Sequence, residues 1–477
     1  MSQSDSKVSR RDVLTAVAAT GTLLAATRAS ATTDAAGAAP GAPGAPGAPG
    51  ASIAGRKFRA WVSQGDGPNR TRLETLSMLP ITGRQVAVRT QAASLCYTVS
   101  TDVLGLPRGE FGAPDAEHLL HVPPAPPRFE QLQQMAIIQG HGGVGIVEAV
   151  GPEVRRVRVG DRVCVSGTPQ CGSCYQCLRG RADMCQFLFT QGPDDLVAWA
   201  TRADGTPVYS NSHIGGLAEM MVTFEEWVVP TASNAPAHEL SMVCSCTSVA
   251  GLGSTVSQTL ASIAPGSSVA VVGLGPLGLS AVQGARIAGA SMIIGIDPVR
   301  VRREVAMKVG ATHTLDPNAE GSQIVQRVRE LTIGNYDNRW GNGKYGVRGA
   351  GADFVVEAAG GNRAKPMVED GPDPTGLLPM EQAYYMVAPG GQIVTNSLPV
   401  GNISINVGTF ALGGRSHHAG QAGGMNPLRD IPRFVQLLDS GQYDAKSLAT
   451  SVVPIDDMMD AYRQVLYRTT ITGIMTA

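Results

Sequence analysis

From Ser267 the chain reads Ser-Ser-Val-Ala-Val-Val-Gly-Leu-Gly-Pro-Leu-Gly-Leu-Ser-Ala-Val-Gln-Gly-Ala, an apolar strand pattern that turns at Gly273-x-Gly275-x-x-Gly278 straight into a helical one. Each glycine meets a separate need: a tight turn, backbone approach to a pyrophosphate, and close packing of helix on strand. The helix N-terminus then faces the phosphates. Met292-Ile-Ile-Gly-Ile-Asp297 supplies a second strand ending in an acid, nineteen positions after Gly278. A carboxylate there hydrogen-bonds a ribose 2′-hydroxyl and repels a 2′-phosphate, so Asp297 favours NAD over NADP. Arg300, Arg302 and Arg303 follow. They read either as a solvated helix face or, for Arg302, as a contact to the adenosine ribose. Further alternation predicts a helix at 299–310, a strand near His313, a helix at 322–332, a strand at 353–358, a helix near 377–387 and a strand at 392–397. That is a βαβ series and an α/β fold with a doubly wound parallel sheet.

Four of the eight cysteines cluster: Cys171-Gly-Ser-Cys174-Tyr-Gln-Cys177, then Cys185. Two-residue gaps let a tight turn aim neighbouring sulfurs at one point, as a tetrahedral zinc ion requires, and a closed four-thiolate site is structural. Cys96, Cys164, Cys244 and Cys246 read singly as small buried residues. Cys96 and Cys246 gain meaning from Gly140-His141-Gly142-Gly143-Val144-Gly145 between them, because two thiolates and an imidazole with one open position are a catalytic zinc set. Spacing alone leaves their convergence open.

The N-terminus carries Ser9-Arg10-Arg11-Asp12, an apolar stretch to about Ala26, and Ala29-Ser30-Ala31. This resembles a twin-arginine export signal, residues 1–31, with cleavage after Ala31. The apolar stretch falls short of the roughly 20 residues that span a bilayer, so no stable membrane insertion is expected. Residues 32–55, almost wholly Ala, Gly and Pro, form a linker. Export places the protein in the periplasm or outside the cell; an inefficient signal leaves it cytoplasmic. Lys+Arg 38 against Asp+Glu 39 provides no basic field for nucleic acid. Of those cations 32 are Arg, a compositional trait of GC-rich bacterial genomes.

The order Cys96, His141, Val159-Gly160-Asp161-Arg162-Val163, the four-cysteine lobe, Cys246 and the glycine fingerprint resembles the zinc-dependent alcohol dehydrogenases of the medium-chain dehydrogenase/reductase superfamily over residues 56–477. The resemblance implies a GroES-like, β-rich catalytic domain at 56–247, a Rossmann domain at 248–420 that binds NAD, and a return to the catalytic domain at 421–477. It implies a catalytic zinc on Cys96, His141 and Cys246, and a structural zinc on Cys171, Cys174, Cys177 and Cys185. Zinc in that family acts as a Lewis acid on an alcohol whose hydride passes to NAD, and Thr98 matches the hydroxyl that relays the proton. The family implies a homodimer or homotetramer and a small-molecule alcohol or aldehyde as substrate.

The chain departs from that pattern at several points. Gly142 replaces a frequent glutamate, Val99 an aspartate that orients the histidine, and Thr101 a relay histidine. Insertions are expected at 100–135, which holds Pro123-Pro124-Ala125-Pro126-Pro127, at 334–351 and at 360–375. The last two resemble the formaldehyde dehydrogenase and dismutase branch, whose cofactor stays bound through turnover. His417 and His418 are read either as cofactor contacts or as surface residues. Three functions follow: an NAD-linked alcohol dehydrogenase, an aldehyde dismutase or acceptor-coupled dehydrogenase with bound NAD(H), and a non-catalytic zinc-stabilised binding protein.

Overall fold

The computed structural model describes residues 53–106, 128–190, 194–333, 350–399 and 401–477. The expected export signal, nearly all of the linker, the proline run at 123–127 and nearly all of the insertion 334–351 lie outside the described residues.

Six parallel strands form one sheet in the spatial order His313–Leu315, Met292–Ile296, Ser268–Val272, Ala352–Glu357, Val387–Thr395, Ser416–Ala419. Along the chain this is 3-2-1-4-5-6, the doubly wound order, which reverses between Ser268–Val272 and Ala352–Glu357. Every residue of Ser268–Val272 is buried, as a central strand covered on both faces requires. The helices Pro276–Ile287, Arg300–Val309, Ile324–Thr332 and Leu377–Met386 make the crossovers. One strand begins earlier than its sequence suggests: Val387–Thr395 starts before Pro389-Gly390-Gly391, which reads as a turn. The irregularity is absorbed as a register shift, since Ala352 pairs with Val387 but Phe354 with Gln392.

Lys57–Ser63, Thr71–Met78, Ala200–Thr201, Pro207–Ser210 and Ile137–Ile138 close a barrel. A second sheet runs Val228–Pro230, Arg162–Val165, Gly143–Val150, Gln85–Leu95, Gly473–Thr476, Ser451–Pro454, with Met220–Phe224 also paired to Gln85–Leu95. The C-terminal strand thus returns to the strand that leads into Cys96, with Gly473 opposite Leu95.

The two parts meet where helix Cys246–Val256 lies on helix Pro276–Ile287. A Cβ on Gly251 would stand 2.2 Å from Leu277 O, and one on Gly284 would stand 1.9 Å from Thr255 Oγ1. Only glycine permits this approach, so the helix that begins at Cys246 is locked to the helix that begins at the fingerprint turn.

Candidate active site and metal centres

Three elements deliver one donor each to a common point. Cys96 ends the strand Gln85–Leu95, His141 precedes the strand Gly143–Val150, and Cys246 opens the helix Cys246–Val256. Their ligand atoms all lie within 4.8 Å of one another, with Cys96 buried and the other two partly exposed, so the set opens on one side. Cys246 hydrogen-bonds Cys96. That hydrogen bond, helped by His141 and Thr98 and opposed by burial, holds the Cys96 thiol well below its ordinary range. The hydrogen bond to Cys96 and burial push Cys246 up. Burial works against a charged His141, yet the Cys96 thiolate outweighs it and raises the imidazole. Two sulfurs and a nitrogen poised this way suit a thiophilic divalent ion with one position left for substrate.

The substitutions around this set have structural reasons. Gly142 has φ +153°, a conformation that side-chain-bearing residues rarely adopt, and a Cβ there would stand a tight 3.1 Å from Ser245 Cα, so a glutamate would be strained at this position. Val99 is buried in the apolar cluster with Val103, Leu104 and Tyr462. Thr98 Oγ1 lies 3.1 Å from Cys96 Sγ, beside the donor set. The buried Thr101 hydroxyl has no partner among the described residues. Cys164 and Cys244 are fully buried, and Cys244 Sγ donates to Gly143 O at 3.5 Å.

Cys171, Cys174, Cys177 and Cys185 bring their sulfurs within 4.8 Å of one another, and none of the eight cysteines forms a disulfide. Cys171 and Cys177 sulfurs are 3.9 Å apart. The backbone N–H groups of Ser173 and Cys174 donate to Cys171 Sγ at 3.5 and 3.3 Å. Burial opposes ionisation, but these bonds overcome it and bring the Cys171 thiol down to about 6. A four-sulfur cluster with a ready thiolate fits a closed zinc site.

The fingerprint glycines divide their work. A Cβ on Gly273 would meet Ala358 and Ala359 backbone at 2.7 Å, and one on Gly278 would meet Gly273 O at 1.8 Å. Gly275 has nothing within 4 Å of that position, so its backbone faces open space at the start of helix Pro276–Ile287, where a pyrophosphate can approach. Asp297, 4 % exposed, braces this turn: Oδ2 accepts from Leu274 N at 2.7 Å and Oδ1 from Val299 N at 2.8 Å. Arg302 is buried with Nη1 3.9 Å from Asp297 Oδ2, so it is not part of a solvated helix face. Arg303 is spent on Asp316 and on the carbonyls of Asp297 and Pro298, while Arg300 pairs with Glu304 at the surface. His417 is engaged at both ring nitrogens, by Tyr384 Oη at 2.5 Å and Thr395 Oγ1 at 2.7 Å. His418 Nε2 is buried without a partner among the described residues, and Arg181 bears on it.

Glu357 is a further site residue, and the sequence carries its signal: like Asp297 it is an acid closing an apolar strand. It is fully buried, accepts from Ala359 N at 2.9 Å and Ser397 Oγ at 2.5 Å, and so fixes the loop that packs on Gly273. Burial raises its carboxyl above the usual range against those bonds. Gly167 carries no such signal. A Cβ there would stand 3.0 Å from His141 O and 3.6 Å from Cys246 Cβ, which places it as a spacer between two donors.

The family model for the alcohol dehydrogenase GroES-like domain matches residues 82–233, and that for the zinc-binding dehydrogenase matches 276–370. The chain is 29% identical over 355 residues to the putative alcohol dehydrogenase D of Mycobacterium tuberculosis (strain ATCC 25618 / H37Rv), covering 73% of this chain and 86% of that one. It is 27% identical over 349 residues to the NDMA-dependent alcohol dehydrogenase of Amycolatopsis methanolica, covering 72% and 85%. The crystal structure of an alcohol dehydrogenase zinc-binding domain protein from Burkholderia ambifaria superposes with a TM-score of 0.70 at 24% identity, over 88% of this chain and 99% of that one. That likeness shows the shared fold. The two family models together span just over half of the 477 residues, and with these relatives they establish that the chain belongs to the zinc-type alcohol dehydrogenase family of oxidoreductases, a GroES-like part joined to a doubly wound nucleotide-binding fold.

Proposed function

We propose that the protein is a zinc-dependent alcohol dehydrogenase that transfers hydride between a primary or secondary alcohol and NAD, giving an aldehyde or ketone. The observation that carries this reading is the convergence of Cys96, His141 and Cys246 donors within 4.8 Å. A relic that only binds ligands has no use for such a set. The zinc ion supplies Lewis acidity toward the alcohol oxygen, and the nicotinamide supplies the hydride acceptor. Cys96, His141 and Cys246 hold the catalytic ion, and Cys171, Cys174, Cys177 and Cys185 a structural one. Thr98 Oγ1 takes the alcohol proton toward solvent. The Gly275 turn receives the diphosphate, and Asp297 and Arg302 lie at the adenosine ribose. Elemental analysis with a coupled assay tests this: two zinc ions per chain and NAD-dependent alcohol oxidation are expected, and a protein with one zinc and no turnover rejects it.

Asp297→Ala is expected to weaken NAD about tenfold and to narrow the preference over NADP, because the ribose acceptor and the repelling charge are lost together. The turn loosens as well, since Leu274 N and Val299 N lose their acceptor. The ratio of kcat/KM for the two cofactors is the measurement, and a parent that already prefers NADP contradicts the assignment.

A second reading, retained NAD(H) recycled by a second aldehyde or an external acceptor, draws support from the segment 360–375. It reaches the other half of the molecule through Arg363 N to Tyr97 Oη at 2.7 Å and Met367 N to Tyr467 O at 3.0 Å. Likeness to an NDMA-dependent relative and the Arg10-Arg11 leader favour it too, since an exported enzyme meets no free NAD pool. Protein purified from the exported fraction, gel-filtered and denatured should then release nicotinamide. Cofactor-free protein with saturable dependence on added NAD rejects this reading and leaves the first.

A further inference from the structure

Tyr97, next to Cys96, is half-buried and holds two cations on its ring. The Arg363 and Arg468 guanidinium carbons stand 5.9 and 5.6 Å from its centroid. Like charges gathered on one ring repel, and a partly exposed ring attracts each only weakly. Neither arginine forms an ion pair with a carboxylate among the described residues. A third cation, Arg302, lies beside them. Burial first, and then the charge of Arg468, hold its guanidinium below the ordinary value against the pull of Asp297. The other carboxylate facing this group, Glu369, is exposed and accepts from Arg300 N at 3.4 Å.

The two arginines are also placed deliberately. Arg468 has φ +61° in the turn after helix Met458–Leu466, where its N–H closes on Val465 O at 3.2 Å. Glycine is the usual residue at such a left-handed helix end, so a long cation kept there at a conformational cost points to a task for its side chain. Arg363 is delivered by the segment 360–375, tied at Tyr467 and, through Asn318 Nδ2 to Asp370 O at 2.9 Å, at the nucleotide-binding part. Arg302 connects this cluster to Asp297, which itself braces the open Gly275 turn.

We infer that Arg363 and Arg468, mounted on Tyr97, are a clamp for the diphosphate of the dinucleotide, working with the Gly275 turn. The inference rests on the nicotinamide reading above. The diphosphate neutralises the gathered cations, and Arg363 makes the segment 360–375 part of the cofactor site.

The test titrates full-length parent, Arg363→Ala and Arg468→Gly with NADH and NADPH by fluorescence energy transfer, and measures the nucleotide each carries as purified and its melting temperature. Glycine at 468 suits the backbone, so Arg468→Gly should melt at or above the ligand-free parent. Each variant should bind both dinucleotides about tenfold more weakly, or lose carried nucleotide, by the loss of one charge-assisted contact. Parent-like binding in both variants overturns the clamp. Weakening confined to NADPH also overturns it, because the phosphate gripped is then the 2′ one. A parent that binds no dinucleotide overturns the nicotinamide reading and the clamp together, which separates that failure from the others.

Discussion

Cys246→Ser and His141→Ala should each lower alcohol oxidation by about a thousandfold or more, since a Lewis acid contributes several kcal/mol to the barrier and each 1.36 kcal/mol is tenfold. Each should also release one zinc per chain and leave the four-cysteine lobe loaded. Serine keeps the size of cysteine but replaces a soft thiolate with a poor neutral donor. The backbone at 246 has little freedom to compensate, because its helix is interlocked with Pro276–Ile287 through Gly251 and Gly284. His141 is partly exposed, so its truncation opens no deep cavity, and the melting temperature should stay near that of the parent. Turnover, elemental analysis and a thermal melt on the same preparations decide the matter. Parent-level turnover in either variant rejects the catalytic assignment.

The sequence makes the nucleotide-binding half readable because its constraints are local. Gly273, Gly275 and Gly278 sit within six positions, and strand, turn and helix follow one another directly. Even so, the individual reasons appear only in three dimensions: Gly273 and Gly278 are held by neighbouring backbone, whereas Gly275 alone opens to space. The four-cysteine lobe is legible for the same reason. The convergence of the donor set is not, because Cys96 and Cys246 are 150 residues apart and are brought together by separate elements of the fold. Residue types and their neighbours single out Cys96, His141 and Cys246 as a donor set, but spacing leaves their convergence open. Gly167, Ser245 and the Arg363–Tyr97–Arg468 group are invisible in the sequence, since each matters through a neighbour distant along the chain. His417 stays open in the sequence between a cofactor contact and a surface residue, because its hydrogen bonds to Tyr384 and Thr395 join elements distant along the chain.

Cys174→Ser should act on the fold, lowering the melting temperature by roughly 10 °C if the lobe is worth about 4 kcal/mol at about 2–4 °C per kcal/mol. The lobe has little else to hold it. Its helical pieces, Tyr175–Leu178, Ala182–Met184 and Gln186–Phe189, are four, three and four residues long, far below what an isolated helix needs. Tyr175, Leu178 and Phe189 are 67%, 73% and 61% exposed, so the segment builds almost no core of its own. Cys174 also accepts from Cys177 N at 3.5 Å, and serine would shorten that reach as well as remove a sulfur. Loss of the lobe spreads inward. Ala182 N donates to Asn426 Oδ1 at 3.0 Å, and the fully buried Asp183 pairs with Arg181 at 2.8 Å, so melting it exposes groups at the junction with helix Pro427–Asp439. Ser173→Ala, which removes only a hydroxyl contact to Cys171 at 3.6 Å, should melt close to the parent. A strong chelator should reproduce the Cys174→Ser melt in the parent and shift the variant far less. If Cys174→Ser melts like the parent and the chelator changes nothing, the lobe holds no metal.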